Sequence, residues 1–227
     1  MKILVCGCSY FTHDTNYPGT HFTELLAQKL NATCINLACP GASNFLIRLQ
    51  VQAIKETKPD LVLLGFTSPD RLEYFINHDH AYHPWFHVHN IKYLNENKCI
   101  KSKYSTISSS SLFELVKSKE HSTAATEFVK HFYNHRLQKH KDSLIAQTVL
   151  TYLESQKIPY LYTEGGLEDD EMMLFVDFKK NKVESGNPWH FTSKGEEREL
   201  RTYHTTSTSQ IELTEIWMEK ILKSSLY

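Results

Sequence analysis

Three short candidate strands, at residues 2–7, 33–37 and 61–66, alternate with two stretches of helical pattern, and this alternation limits the fold more than any other feature of the chain. The first run, Lys2-Ile-Leu-Val-Cys-Gly7, is continuously apolar and ends in glycine, the pattern of a strand buried on both faces. Thr33 to Leu37 reads as a second strand and Leu61-Val-Leu-Leu-Gly-Phe66 as a third. Between them, Phe22, Leu25, Leu26 and Leu30 share one helical stripe. A second helix is expected over residues 45–57, with Asn44 as its N-cap and Lys58-Pro59-Asp60 as its breaker. Short strands joined by helical crossovers form a parallel sheet covered on both sides, so the expected class is a three-layer, doubly wound, mostly parallel α/β domain.

The remainder is less regular. Residues 70–120 are rich in aromatics and histidines, followed by the hydroxyl run Ser105 to Ser111, and no period organises them. They are expected to be a helical or looped insertion, a lid, within one domain spanning residues 1–227. Regularity returns in a helix somewhere within residues 122–157, where Leu137, Leu144, Ile145, Val149, Tyr152 and Leu153 are expected to face the sheet. Ile158 to Thr163 reads as a fourth strand and Met172 to Phe178 as a fifth. Gln210 to Leu222 puts Leu213, Ile216, Trp217 and Ile221 on one face and reads as the closing helix.

A formal net charge of −1 gives no general pull toward nucleic acid or an anionic membrane. Neither a run of about 18 apolar residues nor a signal peptide is visible, so a cytoplasmic location is expected. The five cysteines are odd in number and scattered, which does not suggest a disulfide framework. Cys6 and Cys8 lack the second pair that a zinc site needs, and read as small packing residues. Five of the thirteen histidines fall between His78 and His89. His-x-His pairs on a strand could hold a transition metal, but the neighbours Tyr82, Trp85 and Phe86 favour an aromatic lid. No metal and no cofactor are expected.

In open α/β sheets, ligands bind beyond the carboxyl ends of the strands. Those ends read Gly7-Cys-Ser-Tyr10, Pro40-Gly-Ala-Ser-Asn44 and Gly65-Phe-Thr-Ser-Pro-Asp-Arg71. A serine just past the first strand would project from a rigid edge. Turn N–H groups behind it, and a glycine after the second strand, could approach a developing oxyanion. A polar side chain after the third strand could complete the donor set, and a late histidine could act as general base. Taken singly, Ser9, Gly41 and Thr67 are ordinary turn residues. In order at one edge, with a late histidine motif, they favour a site.

These segments resemble the SGNH (GDSL-type) hydrolase superfamily. Ile3-Leu-Val-Cys-Gly-Cys-Ser9 resembles its first block, usually Gly-Asp-Ser; Asn36-Leu-Ala-Cys-Pro-Gly41-Ala-Ser-Asn44 resembles the second, and Pro59-Asp-Leu-Val-Leu-Leu-Gly65-Phe-Thr67 the third, normally Gly-x-Asn. The resemblance covers the first 71 residues well and the last forty loosely. It implies the flavodoxin-like SGNH fold, Ser9 as nucleophile, and an oxyanion hole from Ser9, Gly41 and Thr67. Cys8 stands where the family has Asp, and Thr67 where it has Asn. Losing one oxyanion donor costs about 100- to 1000-fold in rate, so weak activity is an expectation too.

The family's late motif is Asp-x-x-His. Asn187-Pro-Trp-His190 keeps the spacing with Asn for Asp; His204 lacks the acidic partner but stands directly before the closing helix. His190 and His204 are therefore rival general bases, His190 favoured by motif, with Asn187 and Asn44 in support. Arg71 and Glu73 could fix a substrate carboxylate or sugar hydroxyls; the more ordinary reading has them pairing with each other or holding the insertion. The expected function is a serine esterase or deacetylase acting on a small acyl ester, carbohydrate-borne esters included. The alternatives are a catalytically degenerate SGNH-like binding module and an acyltransferase on the same scaffold. The expected partner is thus a small acyl ester or acylated carbohydrate, with neither nucleic acid nor membrane.

Overall fold

The computed structural model describes residues 1–13, 17–39, 42–69, 71–75, 104–108, 127, 131–165, 176–183 and 207–224. Its principal sheet is parallel throughout. β1 (Lys2–Gly7) lies between β2 (Thr33–Asn36) and β3 (Leu61–Gly65). Two more strands, β4 (Arg71–Phe75) and β5 (Tyr104–Ser108), pair antiparallel as a separate ribbon, and β6 (Tyr160–Thr163) joins the free side of β3. The order across the principal sheet is β2-β1-β3-β6. The helices are α1 (Phe22–Lys29), α2 (Asn44–Val51), α3 (Ile54–Thr57), α4 (His135–Ser155) and α5 (Ser207–Lys223).

Alternation along the strands divides the core in two. Ile3, Val5, Leu61, Leu63 and Leu161 meet Phe22 and Leu26 of α1 and Leu213, Trp217 and Ile221 of α5. Leu4, Cys6, Val62, Leu64 and Tyr162 meet Leu46, Ile47 and Leu49 of α2 and Val149, Leu150 and Leu153 of α4. Every residue of β1 to β3 on these two faces that is named here is fully buried. The result is the expected three-layer α/β fold, and it explains why the strands read as unbroken apolar runs rather than alternating ones.

Several local expectations are corrected. The second helix is two helices, because the chain turns at residues 52–53. Its N-cap is Ser43, whose hydroxyl accepts from Leu46 N–H at 3.2 Å, which leaves the Asn44 amide for another task. On α4 the buried stripe is Asp142, Ala146, Val149, Leu150 and Leu153, while Leu137 and Leu144 are exposed on the other side. Within the candidate fifth strand, Met172 to Phe178, the described part begins a 3₁₀ turn, Val176–Asn181, and residues 172–175 lie outside the described residues. Sheet pairing there is a single parallel bridge between Tyr162 and Lys182. Within residues 70–120, expected as a helical or looped insertion, β4 and β5 form an antiparallel ribbon.

Candidate active site

Ser9 follows the last residue of β1 by two positions, in a turn closed by Phe11 N–H donating to the Cys8 carbonyl at 3.0 Å and by the Thr12 hydroxyl donating to the same oxygen at 3.1 Å. It is 6% exposed. Among the described residues its hydroxyl has no hydrogen-bond partner.

Sheet geometry explains why the turn sits where it does. Gly7 and Gly65 are paired in register at the ends of β1 and β3, on the face of Val5 and Leu63. Phe11 fills the space their missing side chains leave. A Cβ on Gly65 would lie 2.2 Å from Phe11 Cδ2 and Cε2, and one on Gly7 2.7 Å from Phe11 Cβ. The Phe11 ring is in turn boxed edge-on by Phe22 and Trp217, with centroids 5.2 and 5.6 Å away.

His21 holds the next residue. Its Nδ1 accepts from Thr23 N–H at 3.4 Å and its Nε2 lies 3.1 Å from the Tyr10 carbonyl oxygen. A carbonyl only accepts, so Nε2 carries the proton on that side, and Nδ1 also lies 2.8 Å from the Thr23 hydroxyl. Both ring nitrogens are thereby occupied, and His21 serves as a strut for the Ser9 turn rather than as a base. It also caps α1 in a capping box with Glu24.

The opposite face uses amides. Gln50 of α2 accepts from Gly7 N–H at 2.7 Å and donates to the Gly7 carbonyl at 3.2 Å. Asn44, at the start of the same helix, accepts from Thr67 N–H at 2.8 Å and donates to the Thr67 carbonyl at 2.8 Å. Its second N–H goes to Asp142 Oδ2 at 3.2 Å, and Gln138 donates to Asp142 Oδ1 at 3.1 Å. Both Asn44 amide N–H groups are thus taken, one by the Thr67 carbonyl and one by Asp142. Since the Thr67 N–H is also taken, the hydroxyl is the donor Thr67 has left to offer. Gly165, after β6, completes this edge; its φ is +58° and a Cβ there would stand 2.0 Å from the Phe66 carbonyl oxygen.

Arg71 bridges the second and third strand ends by donating from Nη1 to the Ala42 carbonyl at 2.8 Å. Tyr10, beside Ser9, has its phenol pushed up, first by burial and then by Cys8, with the Arg71 charge acting the other way. The Cys6 thiol is pushed far up by burial alone. Cys6, Cys8 and Cys34 are free thiols, whereas Cys39 is disulfide-bonded, a link that the odd, scattered cysteines of the sequence did not suggest.

Of the residues singled out from sequence, Ser9, Asn44, Thr67 and Arg71 are brought to one edge of the sheet. Gly41, Asn187, His190 and His204 lie outside the described residues, as do the histidine-rich stretch 78–89 and the side chain of Glu73. The sequence reading missed Phe11, His21, Gln50, Asp142 and Gly165. His21 had a legible signal, a polar residue three positions before Glu24 at a helix start. The others depend on contacts distant in the chain. No described helix is long and apolar enough to cross a membrane.

No family model matches the chain, and no curated protein does. Among solved structures it is similar to a protein from Bacteroides fragilis NCTC 9343 named as an acylhydrolase, at 12% identity and a TM-score of 0.33, over 100% of this chain and 88% of that one. It is also similar, at 10% identity and a TM-score of 0.37, to a protein from Desulfitobacterium hafniense DCB-2 named for the G-D-S-L lipolytic family, over 96% of this chain and 98% of that one.

Proposed function

We propose that this chain is a serine hydrolase of the SGNH kind, an esterase or deacetylase acting on a small acyl ester, including one carried on carbohydrate. The observation that carries the reading is the convergence of Ser9, the Ala42-Ser43-Asn44 corner and Thr67 at the carboxyl edge of one parallel sheet, fastened by the Asn44–Thr67 and Arg71–Ala42 hydrogen bonds. In this mechanism Ser9 Oγ attacks the acyl carbon while His190 or His204 takes its proton. Backbone N–H groups of Ser9 and Gly41, with the Thr67 hydroxyl, hold the oxyanion. The histidine returns the proton to the leaving alkoxide, and water then cleaves the acyl-serine. An alcohol in place of water would make the same scaffold an acyltransferase.

A fluorophosphonate probe tests this directly. One label per chain is expected on the wild type and none on Ser9→Ala; equal labelling of both overturns the reading. Absent labelling of the wild type supports the second reading, a degenerate binding module, which Thr67 in place of Asn and Asn187 in place of Asp favour. With a Ser–His pair, activity should rise through about pH 6.5, where an imidazole loses its proton. If His190 is the base, Asn187→Asp should raise the rate at neutral pH and His204→Ala should leave much of it; if His204 is the base, His204→Ala should be as damaging as Ser9→Ala.

A further inference from the structure

Arg71 is half-buried at the beginning of β4, and its guanidinium reaches back across the site to the Ala42 carbonyl. That bond uses one of five N–H donors. Among the described residues no carboxylate neutralises it: the ion pairs there are Lys29–Glu215, His131–Glu127, Lys180–Glu154, Lys182–Glu164 and Lys223–Glu219. A tie between two loops needs only one donor. A partly desolvated guanidinium without a counter-charge is costly to keep, unless an anion arrives to pair with it. The Arg71 charge is also felt at the Tyr10 phenol, on the residue next to Ser9, so it acts on the side of the site where the ester would lie. A planar fork with free N–H groups fits the two oxygens of a carboxylate or phosphate.

We propose that Arg71 is a specificity-determining residue, and that the ester cleaved at Ser9 carries a carboxylate or phosphate group which the Arg71 fork receives. This rests on the hydrolase reading above. Ala42 holds the guanidinium in place, the remaining N–H groups take the anion, and the reacting carbonyl is set over Ser9.

The test compares kcat/KM for 4-acetoxybenzoate and 4-acetoxyphenyl phosphate with that for the uncharged 4-acetoxybenzamide. The wild type should prefer at least one anion, and the benzoate and phosphate arms tell which. In Arg71→Gln that preference should fall by about 10- to 100-fold, the effect of losing charge-assisted hydrogen bonds. Arg71→Lys, which keeps the charge without the fork, should fall between. An anionic-to-neutral ratio that is the same in wild type, Arg71→Gln and Arg71→Lys overturns the proposal. Should the wild type cleave none of the three and resist fluorophosphonate, the hydrolase reading has failed on its own account. The anion site is then decided by calorimetric titration of benzoate and inorganic phosphate. Binding to the wild type that Arg71→Gln abolishes supports it; no binding, or binding indifferent to Arg71→Gln, overturns it. If Arg71→Gln does not fold, Arg71→Lys carries the comparison in both experiments.

Discussion

The two faces of the sheet hold the same carboxyl edge by different means. On the side of α1 and α5, the Ser9 turn is fixed by packing: Phe11 occupies the gap over Gly7 and Gly65 and is boxed by Phe22 and Trp217. On the side of α2 and α4, the strand ends are fixed by hydrogen bonds, Gln50 to Gly7 and Asn44 to Thr67, with Asp142 behind Asn44. Packing is non-directional and sets where a turn lies; hydrogen bonds are directional and set which way a peptide group points. Ser9 leans on the aromatic face and Thr67 on the amide face.

Phe11→Ala should have the largest effect on stability, about 3–5 kcal/mol by urea unfolding, because it empties a fully packed site over two glycines. A loss below about 1 kcal/mol would mean that the aromatic wedge does not hold the turn. Gly65→Ala should cost about 1–3 kcal/mol through overpacking against the same ring. Combined with Phe11→Ala, its cost should largely vanish, since the clash partner is gone; strict additivity would deny the contact.

The amide face should respond less and unequally. Asn44→Ala strands the Thr67 N–H and the Thr67 carbonyl and removes a donor from Asp142, and should cost about 2 kcal/mol. Gln50→Ala should cost less, about 1 kcal/mol, because the Gly7 carbonyl keeps its bond from Cys39 N–H at 3.0 Å. The reverse order would break the ranking of the two clamps.

The smallest expected effect is one of pH. Burial, and next the Glu24 charge, push the Cys34 thiol from 9.0 up to about 11, against a hydrogen bond from Thr23. The raised value means the native state binds this proton more tightly than the unfolded chain. The stability it contributes is therefore full below pH 9.0 and lost as pH rises through about 11. Urea midpoints taken at pH 8 and pH 10.5 should fall less in Cys34→Ala than in the wild type.

β1, β3 and β6 were legible because a strand buried on both faces is written as a continuous apolar run; β2, an edge strand and only partly buried, lies within a residue of its expected bounds as well. α5 was legible for the same kind of reason, since Leu213, Trp217 and Ile221 repeat at helical spacing and are all fully buried. On α4 Val149, Tyr152 and Leu153 face the core as expected, but Leu137 and Leu144 do not. The buried stripe includes Asp142, whose charge hides it from any apolar count, and that turns Leu137 and Leu144 outward. Asn44 was read as a cap because Asn suits caps, but Ser43 beside it suits them as well, and the choice depended on Thr67 being within reach.

By itself the sequence determined the layered parallel sheet and the order in which Ser9, the Asn44 corner and Thr67 come to its edge. Both follow from burial, which is recorded residue by residue in apolar content. Only the tertiary structure decided that Phe11 stands in for two absent side chains, that Gln50 and Asn44 close on backbone far away in the chain, and that the Arg71 guanidinium meets a carbonyl instead of a carboxylate among the described residues. Those pairings are set by distances between segments, and a linear pattern holds no record of them until the sheet has brought the segments together.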